Sequence, residues 1–338
     1  MPQIVSRPRK FSTGSFAGAL AALAALLGLA APSEAVAQAS AYPNKPVRIL
    51  TGYPPGGPTD IIGRVLGDHL GKALSQPFYV EGKPGLAGNV AGGILATSPP
   101  DGYTLYIVGL GLIAVNADLY KNMGYDPATA FAPITLLVDL PIVLEVNAKL
   151  PVNSYDEFVK YAKSGVALNH GSPGIGTLPH LAAELFKSKI GFQSTHIAYR
   201  GTGPFSNAMM QGEVQWSFDV PNTAITLSKN GFVKLLAVTS AQPYPPFPGV
   251  PTMAQLGQSD MTATTWFGLV APAGTPKEII GKLHDEIARG WKIPEVAARL
   301  SNAGLDPMTT TPEETAKIFA ADRAKWGAVV RANHITAE

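Results

Sequence analysis

The order of apolar and polar positions along the chain predicts short strands alternating with helices of roughly ten residues. Apolar or alternating runs such as Val47–Thr51, Tyr103–Val108 and Trp216–Asp219 are typical of strands. Between them, apolar residues recur at helical spacing, as in Leu178–Ile190. This alternation indicates an α/β fold whose strands run mainly parallel and are flanked by helices.

The same pattern places the other elements. The remaining predicted strands are Phe78–Glu81, Ile142–Val146, Ala167–His170, His196–Tyr199, Leu235–Thr239 and Trp266–Ala271. The remaining predicted helices are Asp60–Leu74, Gly88–Thr97, Ser154–Lys163, Pro204–Gln211, Pro276–Trp291, Pro294–Asn302 and Pro312–Asn333. Each of the last three helices begins with a proline, which the first helical turn accepts. The segment Gly109–Val115 is predicted to be an apolar loop.

Residues 1–39 have the pattern of a secretory signal peptide, with a membrane helix as the alternative. A basic start is followed by the uncharged run Phe16–Ala31 and by the small residues of Ala37–Ala39. The apolar run is short for a membrane span, which needs about 20 residues. We therefore expect export to the periplasm by general secretion.

Charge and cysteine content exclude several classes of protein. The full chain has 26 basic and 24 acidic residues and a pI of about 8.6. Residues 1–39 hold three of the basic and one of the acidic residues, so the remaining chain is formally neutral. No nucleic-acid partner is expected, because such binding needs clustered positive charge. The chain has no cysteine, which excludes thiol catalysis, Fe–S clusters and Cys-ligated zinc.

The most informative loop, Tyr53–Asp60, follows the first strand and leads into a helix. It contains Gly56, Gly57, Thr59 and Asp60. The first N–H groups of a helix have no partner within it, and glycines let a ligand approach the backbone. The loop therefore predicts an anion-binding site, with simple helix capping by Thr59 or Asp60 as the alternative.

Two further glycine-rich loops repeat this arrangement. Gly171–Thr177 and Tyr199–Pro204 each connect a predicted strand to a predicted helix, and Asp219 ends another strand before Pro221. In parallel α/β sheets such loops gather at the carboxyl ends of the strands, where ligands bind. Three loops of one design favour a binding cleft over three unrelated turns.

The sequence offers little for catalysis, metals or cofactors. Gly67–Lys72 is a truncated phosphate-binding loop, and Gly109–Ala114 lacks the acidic residue that dinucleotide binding requires. His180 and Glu184 lie one helical turn apart, but two ligands do not form a metal site. We expect no catalytic residues, no metal and no cofactor.

Taken in order, the loops resemble one protein family, the Bug-type extracytoplasmic solute receptors of the tripartite tricarboxylate transporters. The matching segments are Tyr42–Val47, Pro55–Asp60, Lys83–Gly88, Ser98–Leu105, Gly174–Leu181, Tyr199–Gly201, Gly212–Val214 with Phe218–Asp219, and Ala271–Pro276. They span nearly the whole chain after residue 39. Each segment alone is weak, but the combination is specific.

This resemblance implies a two-lobed periplasmic binding protein, type II-like, with a hinge that the chain crosses twice. Lobe 1 would combine residues 40–140 with 263–338, and lobe 2 would be residues 141–262. The protein would be a monomer that closes on an organic carboxylate and delivers it to the membrane subunits of a transporter. The alternatives are a receptor for a membrane sensor kinase or a periplasmic hydrolase on the same fold.

The resemblance also implies the site residues. The ligand-binding residues that we expect are Tyr53, Gly57, Thr59, Asp60 and Gly111 in lobe 1, and Ser172, Gly176, Thr177, His180, Tyr199, Arg200 and Asp219 in lobe 2. The apolar segment Gly109–Val115 departs from many relatives, which have Ser or His there. An apolar wall would suit an aromatic carboxylate. The alternative is that this segment packs inside the lobe and never meets the ligand.

Overall fold

The structure is a computed structural model that describes Gln3 and residues 42–337. The predicted signal peptide, residues 1–39, lies outside the described residues except for Gln3. By compactness the chain divides into residues 1–44 and residues 45–338. Both sheets described below belong to the second unit. Within residues 42–337, every helix is too short or too polar to cross a bilayer.

Sheet 1 has five strands in the order β2-β1-β3-β10-β4. Its strands are β1 (Val47–Thr51), β2 (Phe78–Gly82), β3 (Thr104–Gly109), β4 (Phe131–Pro141) and β10 (Thr264–Pro272). β2, β1 and β3 are parallel, whereas β10 runs antiparallel to both of its neighbours, β3 and β4. A late strand therefore sits between two early ones.

Sheet 2 also has five strands, in the order β7-β6-β8-β5-β9. Its strands are β5 (Val143–Asn147), β6 (Asn169–Ser172), β7 (Thr195–Ala198), β8 (Trp216–Asp219) and β9 (Val233–Val238). β7, β6 and β8 are parallel, and β5 is antiparallel to β8 and β9. We call sheet 1 with its helices lobe 1 and sheet 2 with its helices lobe 2.

The helices connect and cover the strands. Those of lobe 1 are α1 (Pro58–Leu74), α2 (Asn89–Ala96), α3 (Leu110–Ala114), α4 (Asn116–Leu119), α9 (Lys277–Gly290), α10 (Pro294–Ser301) and α11 (Pro312–Ala332). Those of lobe 2 are α5 (Tyr155–Ala162), α6 (Leu178–Ile190), α7 (Thr202–Gln211) and α8 (Pro221–Lys229). The fold class is thus confirmed: two mixed α/β layers form a two-lobed protein. Over residues 42–337, four strand pairs are parallel and four are antiparallel, so the sheets are mixed and not mainly parallel as the sequence predicted.

The chain passes from sheet 1 to sheet 2 at Ile142 and returns between residues 239 and 263. The two passages are hydrogen-bonded to each other. The Thr239 N–H donates to the Ile142 carbonyl (2.9 Å), and the Thr239 hydroxyl accepts from the Ile142 N–H (2.9 Å). The Ala263 N–H donates to the Thr239 carbonyl (3.1 Å). Paired crossings of this kind define one axis about which lobes can rotate.

Aromatic side chains fill much of the core. In lobe 2, Phe158, Phe186 and Phe192 surround Trp216, with ring centroids 5.4–5.8 Å from it. Ring pairs at such distances and tilted angles are favourable beyond their buried area. In lobe 1, Trp266 of β10 stacks on Phe319 of α11 at 4.8 Å. α11 also packs against α6, so it contacts both lobes.

Several segments differ from the sequence prediction. Gly109–Val115 is not a loop, because Leu110–Ala114 forms the short helix α3. β4, α4 and α8 were not predicted. β4 contains Pro133, which argues against a central strand, but β4 lies at the edge of sheet 1 where proline is tolerated.

Candidate functional site

The first loop of the site joins β1 to α1. Gly57 is the N-terminal cap of α1, and its carbonyl accepts the N–H groups of Asp60 (3.1 Å) and Ile61 (3.2 Å). Thr59 follows in the first turn and is only 1% exposed, yet its Oγ1 has no hydrogen-bond partner. A buried hydroxyl without a partner costs about 1–3 kcal/mol. Thr59 is therefore free to bind a group from outside the protein.

Asp60 is buried and already has partners. Its Oδ2 accepts from Arg64 Nε (3.1 Å) and from the Gly56 N–H (3.0 Å). The Arg64 hydrogen bond, together with the Gly56 N–H, lowers the pKa of this carboxyl. The ionised Asp60 side chain thus fixes the loop, and Arg64 compensates its negative charge.

Tyr53 is half-buried near other tyrosines of lobe 1. Burial raises the pKa of its hydroxyl to about 12, with a smaller contribution from Tyr120. The neighbouring Gly52 has no room for a side chain, because a Cβ would lie 2.4 Å from Tyr106 Oη and 2.7 Å from the Gly88 Cα. This close approach keeps the loop against Gly88.

The two lobes touch where α3 meets the loop after β6. A Cβ on Gly111 would lie 3.0 Å from the Gly176 carbonyl oxygen. On the other side, a Cβ on Gly176 would lie 2.6 Å from Leu119 Cδ1 and 3.9 Å from Asn116 Oδ1. Gly176 also has a φ of +78°, which favours glycine. Two residues expected from the sequence, Gly111 and Gly176, are thus brought together.

Asn116 is a polar residue that the sequence analysis missed. It is fully buried, and its Nδ2 donates to Asn89 Oδ1 (2.8 Å) and to the Ala87 carbonyl (3.2 Å). Its Oδ1 has no partner and faces the loop that contains Gly176. A single Asn directly after the apolar run Leu110–Val115 was the signal that could have identified it.

The loop after β6 holds itself in place through its own hydroxyls. Ser172 Oγ lies 3.1 Å from the Gly174 carbonyl and 2.8 Å from His196 Nε2, and Thr177 Oγ1 donates to the Gly174 carbonyl (2.7 Å). The Gly176 N–H donates to His180 Nδ1 (3.2 Å). These groups shape the loop, so Ser172 and Thr177 have less capacity for a ligand than Thr59 has.

Behind this loop, three histidines stack on one another, a cluster that could not be predicted from the sequence. The ring of His180 lies 3.8 Å from that of His196, which lies 5.0 Å from that of His170. Burial lowers the pKa of His180 to about 4 and that of His196 to about 3. Burial also lowers the pKa of His170, although the nearby carboxylate of Glu184 opposes this. The stack is therefore neutral near pH 7 and supports the loop by packing and by hydrogen bonds.

The Ser172–His196 contact resembles the nucleophile and base of a hydrolase, but its surroundings differ from a catalytic site. Ser172 is fully buried and also contacts the Gly174 carbonyl. His196 has a pKa of about 3, too low for a general base at neutral pH. In the described residues, no carboxylate contacts the other ring nitrogen of His196. The arrangement fits a positioning role.

Tyr199 and Arg200 lie further out. Tyr199 is half-buried, its N–H donates to the Ser172 carbonyl (3.0 Å), and its hydroxyl donates to Glu213 Oε2 (3.4 Å). Burial and the Glu213 carboxylate raise the pKa of Tyr199. Arg200 is exposed and makes no ion pair among residues 42–337. The structure therefore places Tyr199 beside the loop and Arg200 at the surface.

Asp219, the last residue of β8, is fully buried. Its Oδ1 accepts from the Val220 N–H (2.7 Å), and its Oδ2 has no partner. Burial raises the pKa of Asp219 to about 8, against the effect of the Val220 N–H. Glu145 of β5 lies on the same face of sheet 2 and is equally buried. Glu145 was not expected from the sequence, because it is a single polar position within an apolar strand.

A separate cavity of about 500 Å³ lies near the chain crossings. Its lining includes Asp139, Tyr244, Thr264 and Asp306 and none of the residues expected to bind ligand. The Tyr244 hydroxyl donates to Asp306 Oδ2 (2.7 Å). Across the described residues, no three His, Asp or Glu side chains are grouped as metal ligands would be.

Comparisons with known proteins agree with this architecture. Residues 62–335 match the profile of the tripartite tricarboxylate transporter family receptors. The chain is 32% identical to the protein BugT of Bordetella pertussis over 315 residues, which cover 91% of this chain and 94% of BugT.

Two solved structures with ligands are also similar. The R. palustris protein Rpa4515, solved with adipate, is 32% identical with a TM-score of 0.79 and covers 87% of this chain and 99% of its own. MatC from Rhodopseudomonas palustris, solved with bound malate, is 28% identical with a TM-score of 0.76 and covers 86% of this chain and all of its own. The profile match and the identity to BugT show that this chain belongs to the receptor family of the tripartite tricarboxylate transporters.

Proposed function

We propose that this protein is a periplasmic receptor that captures an organic carboxylate between its lobes and delivers it to the membrane subunits of a tripartite transporter. It acts as a monomer and catalyses no reaction. Lobe 1 consists of residues 40–140 and 263–338, and lobe 2 of residues 141–262. The resemblance of the sequence to the family and the ligands held by two relatives, adipate and malate, support this assignment.

The observation that carries the proposal is a set of buried polar atoms without partners. Thr59 Oγ1 belongs to the first loop, Asn116 Oδ1 lies at the contact between the lobes, and Asp219 Oδ2 lies at the end of β8. Buried polar groups in proteins are almost always hydrogen-bonded. A carboxylate with its hydration water supplies an acceptor for Thr59 and partners for the other two.

The lobe contact explains how binding and closure are linked. Gly111 and Gly176 meet across the lobes, next to Asn116 and Leu119. A ligand that touches both lobes stabilises only the conformation in which they meet, and this shifts the population towards it. The closed form is the one that we propose the membrane subunits recognise.

The apolar segment around Leu110–Ile113 bears on the chemistry of the ligand. The apolar side chains Leu110, Leu112 and Ile113 are each at most 3% exposed and belong to the main core. Their burial supports the alternative in which this segment packs inside the lobe. The segment then forms no apolar wall that would favour an aromatic ligand. We therefore propose a dicarboxylate, and an aliphatic one such as those seen in the relatives is the first to test.

The test is isothermal titration calorimetry of residues 40–338 against adipate, malate, benzene dicarboxylate and nicotinate. Binding of at least one dicarboxylate, with weaker binding by the variant Thr59→Val, supports the proposal. Tight binding of benzene dicarboxylate and not of adipate or malate would restore the aromatic hypothesis. The absence of binding by any acid, from a protein with a cooperative thermal transition, would contradict a carboxylate receptor.

A further inference from the structure

Asp219 is a carboxyl group at a site that we propose binds a carboxylate, so the two charges would conflict. A carboxylate at the binding site would repel the carboxylate of the ligand. Yet Asp219 ends β8, which runs parallel to β6, so Asp219 and Ser172 lie at the same edge of sheet 2. Three residues further on, Asn222 contacts Gly304 of lobe 1, where a Cβ would lie 2.7 Å from Asn222 Cβ. The carboxyl ends of β6 and β8 therefore face the other lobe.

The neighbours of Asp219 provide no positive charge. On β5, Val143 is paired with Asp219 and Glu145 with Ser217, so Glu145 and Asp219 share one face of the sheet. On the other strand beside β8, Gly171 packs against Phe205 of α7. From α8 and β9, Ala224 and Val238 join Val143 in one apolar cluster. The titratable group that faces Asp219 from these elements is Glu145.

Two fully buried carboxyl groups without a cation cannot both be ionised at low cost. Both oxygens of Glu145 and Oδ2 of Asp219 have no hydrogen-bond partner. Ionising either group in such surroundings means burying an unpaired charge, which proteins avoid by retaining the proton. A retained proton turns a carboxyl group from an acceptor into a donor.

We propose that Asp219 is protonated at neutral pH and that its Oδ2–H donates a hydrogen bond to a carboxylate of the ligand. This inference rests on the proposed function, because it names the chemistry of the same site. The proton stays on Asp219, and the ligand keeps its charge. Glu145 keeps its own proton behind Asp219 and does not touch the ligand. A neutral donor on lobe 2 then complements the free Thr59 hydroxyl on lobe 1.

The consequence is a pH dependence on the alkaline side. Burial raises the pKa of Asp219 to about 8 in the ligand-free protein. Above that pH the donor is lost, so binding must take up a proton, and affinity falls by about tenfold between pH 7 and pH 9. Three other titratable groups of the site do not titrate between pH 7 and pH 9: Tyr53 has a pKa of about 12, and His180 and His196 have pKa values of about 4 and 3.

The test measures the affinity for adipate by calorimetry at pH 7 and pH 9, in two buffers of different ionisation enthalpy. We expect the wild type to bind about tenfold more weakly at pH 9 and to take up nearly one proton there. Asp219→Asn should bind equally at both pH values, because its amide donates without titrating. At pH 7, Asp219→Ala should bind more weakly than Asp219→Asn. Glu145→Gln, which replaces a buried carboxyl group on the same face, is the matched control. Its affinity for adipate should still fall between pH 7 and pH 9.

The outcomes separate the two proposals. Equal wild-type affinity at pH 7 and pH 9 without proton uptake would overturn the inference and leave the receptor function intact. So would binding by Asp219→Asn as weak as that by Asp219→Ala, since it would mean that a carboxylate acceptor is required. A fall that disappears in Glu145→Gln and persists in Asp219→Asn would place the proton on Glu145 and overturn the assignment. If adipate, malate and the aromatic acids all fail to bind at pH 7, the receptor function fails first.

Discussion

The contact between Gly111 and Gly176 makes Gly111→Ala a direct test of lobe closure. The added Cβ would lie 3.0 Å from the Gly176 carbonyl oxygen, closer than most real Cβ contacts, so the opposite loop must retreat by a few tenths of an ångström. That loop has little freedom. The N–H of Gly176 is hydrogen-bonded to His180, and the Cα of Gly176 faces Leu119 of lobe 1. The substitution should therefore disfavour the conformation in which the lobes meet.

The magnitude follows from this overlap. An extra methyl group in a packed interface costs about 1–3 kcal/mol. If closure carries that cost, ligand affinity falls by about 5- to 150-fold. The separate lobes should not suffer, because alanine is preferred to glycine within a helix by about 0.5–1 kcal/mol. Loss of affinity without loss of stability is the expected signature.

The matched control is Gly281→Ala. Gly281 is also a helical glycine of lobe 1, in α9, and a Cβ there would have no neighbour within 4 Å. Both variants are compared with the wild type by calorimetry with adipate and by thermal unfolding without ligand. Gly281→Ala should bind as the wild type does. If Gly111→Ala also bound adipate with wild-type affinity, the contact would not control closure, and the reasoning would be refuted.

Three further predictions concern single side chains. Thr59→Val should lower carboxylate affinity about ten- to hundredfold, because a hydrogen bond to a charged group is worth about 1.5–3 kcal/mol. It should not lower the midpoint of urea unfolding, since the hydroxyl has no partner in the protein, and a parallel loss of stability would contradict this. Asp219→Asn should raise the free energy of unfolding by a few kcal/mol at pH 7 and much less at pH 4. The reason is that the folded pKa of about 8 lies above the unfolded value, so the wild type gains stability as the pH falls; an equal gain at both pH values would argue against a protonated Asp219. For His180 and His196 the sign is opposite: with folded pKa values of about 4 and 3, their contribution is complete above the unfolded value near pH 6.5 and is lost as the pH falls. Their imidazole NMR signals should not shift between pH 7 and pH 5.5, and a midpoint near 6.5 would contradict their burial.

Much of the fold could be predicted because many of its strands are short apolar or alternating runs and its helices begin with recognisable residues. Leu178–Ile190 and Trp216–Asp219 have the bounds that the sequence predicted. β4 was missed because Pro133 interrupts an apolar run that is otherwise typical of a strand. Its position at the edge of sheet 1 removes the conflict, and the sequence order does not reveal which strand lies at an edge.

The site was predictable as a set of loops and not as a set of contacts. Glycine-rich connections after strands located Gly57, Ser172 and Gly176, because that pattern reflects backbone requirements. Which hydroxyl is free depends on neighbours far away in sequence. Ser172 pairs with His196 whereas Thr59 has no partner, although both are hydroxyl residues in similar loops.

The buried ionisable groups were the least predictable. Glu145 occupies one polar position between Leu144 and Val146, as a solvent-facing residue of an edge strand would. It is buried because β5 lies between β8 and β9 and α8 packs against β5. That Glu145 and Asp219 share one face of the sheet depends on the register of β5 against β8, which is set by the whole sheet.

The insertion of β10 between β3 and β4 has a consequence for how the chain is made. All strands of sheet 2 come from one continuous segment, residues 143–238, so that sheet can form as soon as the segment has been synthesised. Sheet 1 cannot be completed until residues 264–272 are present, because β3 and β4 have no direct pairing without them. β1, β2 and β3 can pair with one another earlier, but β4 joins them only when most of the chain has been synthesised. Lobe 2 is thus the part of the fold that can assemble first, and lobe 1 is the part that is completed last.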